Sequence, residues 1–406
     1  MNPFLLMSFL YLALAGLLAL DASLTSFTLL PWFNGLRWLR VHLIALGAFT
    51  TAAFGMLPLL LALRNKQPRP PTNWTIWLTL NAGILILLSG IPLVNQALIF
   101  AGGTLIFAAV LLLMRQLSRL ATTTVNFEAG SSLKFYLMGL AYLLLGILVG
   151  TGLWLGWTVT LGIAVPIEVH IHANNWGFMS LVFAGLIFDL YPQWSGHKLA
   201  KPKAITLIFW MMSLGALGLV LGPWTKSNLF SVPGLLLHLS ATIWLLVLMI
   251  KPLIANKTWS LGLLHLISAY IWILAPVLIA PLIILGVPGF PGAGIEQNAP
   301  QALIYGWVLQ FSYAVLPFLF RKAFLVEPAR LGGNWFSLLA VHLGGVFLWA
   351  SIFIAPYQAG LHGLAYGLWT LSFVPVSVEL WKIVSLGLES LDAAPSLGST
   401  IKSASD

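Results

Sequence analysis

Long apolar runs recur along the whole chain and are separated by short polar connections. A helix needs about 20 apolar residues to cross the ~30 Å hydrocarbon core of a bilayer, where it satisfies its own backbone hydrogen bonds. The pattern therefore predicts an all-α integral membrane protein. Its twelve predicted transmembrane helices span residues 3–24, 40–63, 73–93, 97–118, 133–157, 168–191, 203–222, 229–251, 258–286, 301–320, 333–355 and 362–388. They form one domain, 1–388, and the polar tail 389–406 is expected to be disordered.

One short pattern recurs three times at matching positions of the apolar helices. It begins at His42, His172 and Gln301, and a glycine follows five residues later each time. The spacings of 130 and 129 residues hold four predicted helices, so we expect three pseudo-repeats, about 1–130, 131–259 and 260–388. An even number of helices gives each repeat the same orientation. His42 and His172 are therefore expected at the same depth in the membrane.

The basic residues of the chain lie mostly in every second connection between predicted helices. Hydrophobic residues make up 60% and charged residues 7%, with a formal net charge of +9. Sixteen of the 19 Lys and Arg residues fall on one set of alternate connections and at the C-terminal end. This positive-inside pattern predicts cytoplasmic termini in a multi-pass protein of a bacterial or archaeal cytoplasmic membrane. The charge thus reflects topology, and we expect contact with lipid rather than with nucleic acid.

The histidines at the first two repeat positions suit the axial ligands of a heme iron. His42 and His172 lie near the outer ends of helices 2 and 6, and polar residues inside membranes are costly and usually functional. Neutral imidazole is a common metal ligand. The chain has no cysteine, which excludes thiolate ligands and covalent c-type attachment. The sequence therefore predicts b-type heme. The alternative is a pair of interfacial histidines bonded to backbone or lipid headgroups.

A further histidine, His170, precedes His172 by two residues on the same helix. Such residues point about 200° apart, so the two side chains are expected to face different cavities, with Asn174 beside His170 and Asn175 beside His172. His170 is a candidate ligand of a second heme or metal ion, or a hydrogen-bonding residue. His238, His342 and His362 are candidates to bind the same second heme or metal ion together with His170, and for each of them the alternative is again a hydrogen bond.

Two arginines stand on the side of the membrane that is otherwise poor in positive charge. Arg37 and Arg40 precede His42 by a few residues. A guanidinium pairs well with a carboxylate, so both are candidates to hold heme propionates. Contact with lipid phosphate is the alternative.

Helix 6 and the loop after it resemble the signature of the NnrS family. The similar residues are His170-Ile-His172, Gly177-Phe178, Gly185 and the run Pro192-Gln-Trp194-Ser-Gly196. NnrS proteins are twelve-helix membrane proteins with heme and copper, linked to nitric-oxide stress. The whole pattern is also similar to the catalytic subunit of heme-copper oxidases, which has twelve helices in three pseudo-repeats and a His-x-His helix shared between two hemes.

The chain also departs from the oxidase pattern. Helix 7 has no histidine where oxidases carry a copper-binding pair, and Gln301 stands where the third repeat would place a ligand. These departures disfavour copper and oxygen reduction by the heme-copper mechanism. The resemblance implies one or two hemes b and a fold like that of heme-copper oxidase subunit I.

The leading hypothesis is a membrane-integral heme protein in electron transfer, or in the handling of nitric oxide or another diatomic gas. A bis-histidine iron favours electron transfer with a donor or membrane-subunit partner, whereas an iron held by His170 alone leaves a position open for gas. Whether the protein is an oxidoreductase stays open. The alternatives are a cofactor-free or quinone-binding subunit of a respiratory complex and a transporter of a small apolar molecule.

Overall fold

The computed structural model describes residues 2–29, 37–122, 132–197, 199, 202–325 and 329–392. Within these residues the chain is all α-helical, with short turns between helices. The last helix continues to Asp392, a few residues into the predicted tail. The rest of that tail, 393–406, lies outside the described residues.

Eleven described helices are long and apolar enough to cross a membrane, which makes the chain a multi-pass membrane protein. We number the helices in chain order and include a shorter apolar one, α3. They are α1 (Pro3–Ser26), α2 (Arg37–Arg64), α3 (Trp74–Gly90), α4 (Gln96–Ala121), α5 (Leu133–Leu155), α6 (Pro166–Ser195), α7 (Lys203–Thr225), α8 (Asn228–Asn256), α9 (Leu261–Ile284), α10 (Gly292–Phe324), α11 (Trp335–Phe353) and α12 (Gln358–Asp392). The helix α3 lies where the third span was predicted but has only 17 residues, because a turn that contains Pro92 follows Gly90.

Three helices occupy the centre of the molecule. In α2, α6 and α10, 83%, 78% and 94% of the apolar window is buried inside the protein, against 33–44% in the other eight long helices. The central helices are therefore surrounded by protein, while the others expose much of their surface to the surrounding medium. These three helices also carry the recurring pattern at His42, His172 and Gln301.

Each central helix changes from α to π geometry at the same point of the pattern. The π segments are Leu43–Thr50, Ala173–Met179 and Ala302–Leu309, so each begins directly after His42, His172 or Gln301. A π segment bonds residue i to i+5, which turns the side chains that follow it relative to an α-helix, and such segments are frequent at functional sites.

The glycine of each pattern lies inside the π segment, against an aromatic residue of the preceding helix. Gly47 packs on Tyr11, Gly177 on Tyr142 and Gly306 on Trp272, and a Cβ atom on any of these glycines would collide with the aromatic side chain. Small residues of this kind allow close helix approach in membranes. The contacts fix the height of each central helix against its neighbour.

The same three aromatic residues also donate hydrogen bonds to α3, α7 and α11, respectively. Tyr11 Oη lies 3.0 Å from Asn81 Oδ1, Tyr142 Oη lies 2.7 Å from the carbonyl of Ser213, and Trp272 Nε1 lies 3.1 Å from His342 Nδ1. The imidazole of His342 thus takes part in a contact between helices, as the hydrogen-bonding alternative for this residue expected.

At the far end of α2 and α6 an ion pair joins the two central helices. Arg64 Nη1 lies 3.0 Å from Asp189 Oδ1, and the same carboxylate accepts hydrogen bonds from Ser132 and from Tyr136 of α5. Because Asp189 is largely buried and bonded by three groups, this end of the bundle is held in one arrangement.

Replacing Gly177 with alanine should destabilise the protein, because the new Cβ collides with Tyr142 of α5. We expect the free energy of unfolding to fall by about 1–3 kcal/mol. The matched control is Gly360→Ala, since nothing lies within 4 Å of a Cβ at that helical position. Denaturant unfolding of the detergent-purified protein measures both. A Gly177→Ala variant as stable as the Gly360→Ala control would contradict the contact.

Candidate functional site

A cavity of about 780 Å³ lies between the central helices at the end that carries the histidines. Its volume falls in the ~300–1,000 Å³ range of cofactor and ligand pockets. Most of its wall is apolar and comes from α2, α5, α6 and α10, with single side chains from α3 and α4. The polar and charged residues in its wall are Arg37, His42, Thr50, Thr151, Glu168, His170, Asn174, Asn175, Glu296, Gln297 and Gln301.

His42 of α2 and His170 of α6 lie close together in this wall. Their ring centroids are 6.0 Å apart, and their planes differ by 19°. In each ring Nδ1 is bonded to a backbone carbonyl, 2.7 Å from Trp38 O for His42 and 2.8 Å from Gly146 O for His170. A carbonyl only accepts, so Nδ1 carries the proton and Nε2 keeps its lone pair. Within the described residues neither Nε2 atom has a hydrogen-bond partner.

Local sequence holds both rings in place. Trp38 lies one helical turn before His42, and its ring stacks on the imidazole with centroids 4.2 Å apart. Two glycines of α5 make room for His170. The carbonyl of Gly146 accepts its hydrogen bond, and the absence of a side chain at Gly150 leaves space for the ring, because a Cβ there would lie 2.6 Å from His170 Nδ1. The two imidazoles are therefore oriented before any ligand binds.

The structure brings His42 together with His170, and not with His172 as the repeat predicted. His172 does not line the cavity, and its Nδ1 lies 2.6 Å from the carbonyl of Leu219 on α7. The two histidines of α6 thus face different helices, as their spacing implied. Matching positions in the repeat do not make His42 and His172 face each other, because the ring of His172 is bonded to α7.

Both asparagines after the His-x-His pair line the cavity. Asn174 Nδ2 donates to the carbonyl of His170 at 2.8 Å, and Asn175 is buried. The sequence predicts Asn175 on the side of His172. The π segment that begins at Ala173 turns the following side chains relative to α geometry and accounts for the difference.

The two arginines near the start of α2, Arg37 and Arg40, have different surroundings. Arg37 lines the cavity, and Gln301 is placed to accept from its Nε and Nη2 at 3.0 and 2.7 Å when the amide oxygen faces the guanidinium. Arg40 does not line the cavity, and its guanidinium carbon lies 4.9 Å from the ring centre of Tyr366 on α12. Only Arg37 is therefore placed to meet an anionic group inside the cavity.

The remaining candidate histidines, His238, His342 and His362, do not line the cavity. His238 Nε2 lies 3.2 Å from the carbonyl of Trp176, and His342 Nε2 lies 3.1 Å from both Ser268 Oγ and Gln310 Nε2. Both act in hydrogen bonds between helices. In the part of the chain that the structure describes, no group of three or more His, Asp or Glu side chains is placed to hold a metal ion.

Sequence reasoning missed two carboxylates and two glycines of the site. Glu168 of α6 and Glu296 of α10 line the cavity, and Gly146 and Gly150 of α5 shape the seat of His170. Glu168 stands two residues before His170, so its position in the motif was a usable signal. The glycines carried none, because small residues are common in every apolar helix of this chain.

No protein-family model matches the chain, and no curated protein matches it in sequence.

Proposed function

We propose that the protein binds one b-type heme between His42 and His170 and transfers electrons within the membrane. The observation that carries this proposal is the pair of nearly parallel imidazoles, each with Nδ1 bonded to a carbonyl and Nε2 unbonded, in the wall of a mainly apolar cavity. An axial ligand of heme needs this tautomer, because the metal takes the lone pair of Nε2.

The separation of the rings suits one metal atom between them. Imidazole nitrogens bind metals at about 2.0–2.1 Å, so two opposed ligands hold their nitrogens about 4 Å apart. The ring centres of His42 and His170 lie 6.0 Å apart, which would leave room for one metal atom between them. Arg37 supplies a positive charge in the same wall, suited to a propionate. Without cysteine the group would be held by these contacts alone.

The bonds from Nδ1 to Trp38 O and Gly146 O have a direct chemical effect. Each fixes the tautomer, orients the ring and raises the basicity of Nε2. When bound, heme supplies one-electron redox chemistry. A heme held by both His42 and His170 would have no free position for a diatomic gas. This favours electron transfer over gas binding and over a cofactor-free role.

We further propose that α3 also spans the membrane and that the twelve helices form three pseudo-repeats, as in heme-copper oxidase subunit I. The matched π segments and glycine–aromatic contacts support this. In the repeat, Arg40 and Ala299 correspond to His170, and His172 and Gln301 correspond to His42. The pairs equivalent to His170 with His42 are therefore Ala299 with His172 and Arg40 with Gln301. Since only the first pair has two metal ligands, the repeat favours one heme rather than two and no copper centre.

The basic connections further support cytoplasmic termini in a bacterial or archaeal cytoplasmic membrane, with the heme near the outer face. In this orientation the donor or acceptor of electrons is a protein or membrane subunit that reaches the outer side. The cavity wall carries Glu168 and Glu296 at the same end as Arg37, so the approach to the site is of mixed charge.

The orientation can be tested with single cysteines, because the chain contains none. Val159, 82% exposed in the connection between α5 and α6, should be outside, and Asn256 at the end of α8 should be inside. On intact cells a membrane-impermeant maleimide should label Val159→Cys and spare Asn256→Cys until the cells are opened. Labelling of Asn256→Cys alone would reverse the topology.

The heme proposal predicts a stoichiometric low-spin b-type spectrum in the detergent-purified protein. His42→Ala and His170→Ala should each lose this signal, because each removes one axial ligand. His172→Ala should keep it, since His172 does not line the cavity. Reduced-minus-oxidised spectra with a pyridine hemochrome assay measure the result. If His172→Ala lost the heme signal and His170→Ala kept it, the pairing of His42 with His172 that the repeat predicts would be right instead. A folded protein without heme would refute the proposal.

Replacing Gly150 with alanine should weaken heme binding without removing a ligand. The new Cβ would lie 2.6 Å from His170 Nδ1, so the ring must turn away from Gly146 O. Loss of such a supporting bond lowers metal affinity by about 10-fold or more. Heme transfer to excess apomyoglobin measures the retention, with Gly360→Ala as the control. Equal retention in both variants would contradict the assigned role of the Gly146 carbonyl.

A further inference from the structure

A second polar cluster lies beside α2, away from the wall of the heme cavity. It joins Arg40 of α2, Tyr305 of α10, and His362 and Tyr366 of α12, which we call the Arg40 cluster. Tyr366 is its centre: the Arg40 guanidinium carbon lies 4.9 Å from its ring centre, and the rings of Tyr305 and His362 lie 5.8 and 6.5 Å away. None of these four residues lines the heme cavity.

The charge of this cluster is not balanced by the protein. In the described residues the ion pairs are Arg64 with Asp189 and Arg321 with Glu379, so neither Arg40 nor the nearby Arg37 has a carboxylate partner. The connecting segment 27–36, which leads into α2, contains no Asp or Glu. An unpaired guanidinium inside a membrane protein is costly, and an anion beside it removes much of that cost.

The cluster also holds three buried polar atoms without a hydrogen-bond partner among the described residues. They are Arg40 Nε, Tyr305 Oη and His362 Nε2. Tyr305 is only 2% exposed, so water at the protein surface does not satisfy its hydroxyl. Each of the three atoms can donate a hydrogen bond. Leaving a buried donor unpaired destabilises the fold, so three in one cluster call for a common acceptor.

We propose that the Arg40 cluster binds a small inorganic anion, with chloride as the physiological candidate. The anion accepts from Arg40 Nε, from the hydroxyl of Tyr305 and from the imidazole of His362. A metal ion at His362, one of the sequence-based candidates, is disfavoured because the imidazole lies within the electrostatic reach of Arg37 and Arg40. The proposal does not depend on heme, since none of the four residues of the cluster lines the heme cavity.

The two other sources of negative charge are a phospholipid headgroup and a cofactor carboxylate. Both bring a long apolar body that must lie beside the charge, whereas the cluster is filled by its own rings: Tyr305 stacks on Trp369 with centroids 4.4 Å apart and planes 7° from parallel. A monatomic anion needs far less room than either of these groups. The same donors on a lipid phosphate would give no response to halide.

The test is a halide titration of the full-length, detergent-purified protein, followed by its thermal unfolding midpoint. Chloride replaces gluconate at constant ionic strength, so that general screening is unchanged. We expect the midpoint to rise and saturate, as for a ligand that binds the folded state. Arg40→Gln should abolish the rise. Tyr305→Phe, which keeps charge and ring, should need about tenfold more chloride for half the effect.

The matched control is Arg330→Gln, because Arg330 is an exposed arginine of the connection before α11. It should respond to chloride like the unmodified protein. A bromide derivative supplies a direct second readout, with an anomalous peak expected among Arg40, Tyr305 and His362. No saturable response, or the same response in Arg40→Gln, would overturn the proposal. A response only after delipidation would also overturn it and assign the cluster to a lipid phosphate.

Discussion

The close contact between a glycine of each central helix and an aromatic residue of the helix before it determines much of the remaining arrangement. At Gly47, Gly177 and Gly306 no side chain intervenes, so the central helices approach their neighbours at a fixed height. Each glycine lies in a π segment that begins directly after His42, His172 or Gln301. Packing at these glycines therefore sets the depth of His42 and His172, and the π geometry sets the directions of the side chains that follow.

The low polarity of the bundle explains how the polar groups are used. The imidazoles of His42 and His170 each donate from Nδ1 to a carbonyl, which fixes the tautomer and leaves the lone pair of Nε2 unbonded beside the cavity. His238 and His342 use their nitrogens in contacts between helices. One residue type thus serves two purposes in this chain. The difference lies in whether a cavity adjoins the second nitrogen.

Some of the site could be predicted from the sequence. The apolar runs located the helices, and the spacing of His170 and His172 implied that they face different sides. The repeat identified His42 as a position of interest. It could not show which side of α2 meets which side of α6, so it paired His42 with His172 and not with His170. The π segments, which moved Asn175 into the cavity, leave no mark in hydrophobic periodicity.

The arginines Arg37 and Arg40 also show that the sequence does not reveal which way a helix side faces. Nothing in the sequence separates Arg37 from Arg40, three residues apart on α2, yet one lines the cavity and the other packs on Tyr366. Their directions depend on α10 and α12, which are distant in the chain. Long-range packing of this kind decides whether a charged side chain lines the cavity between the central helices or joins the Arg40 cluster.

Electron paramagnetic resonance of the oxidised protein at low temperature tests the central claim most directly. It reports both the number of axial ligands and the angle between their planes, which is 19° for His42 and His170. Two nearly parallel imidazoles predict a rhombic low-spin ferric signal. A high-spin signal would mean that one of the two histidines is not a ligand. A highly anisotropic low-spin signal, typical of perpendicular planes, would mean that a different pair holds the iron.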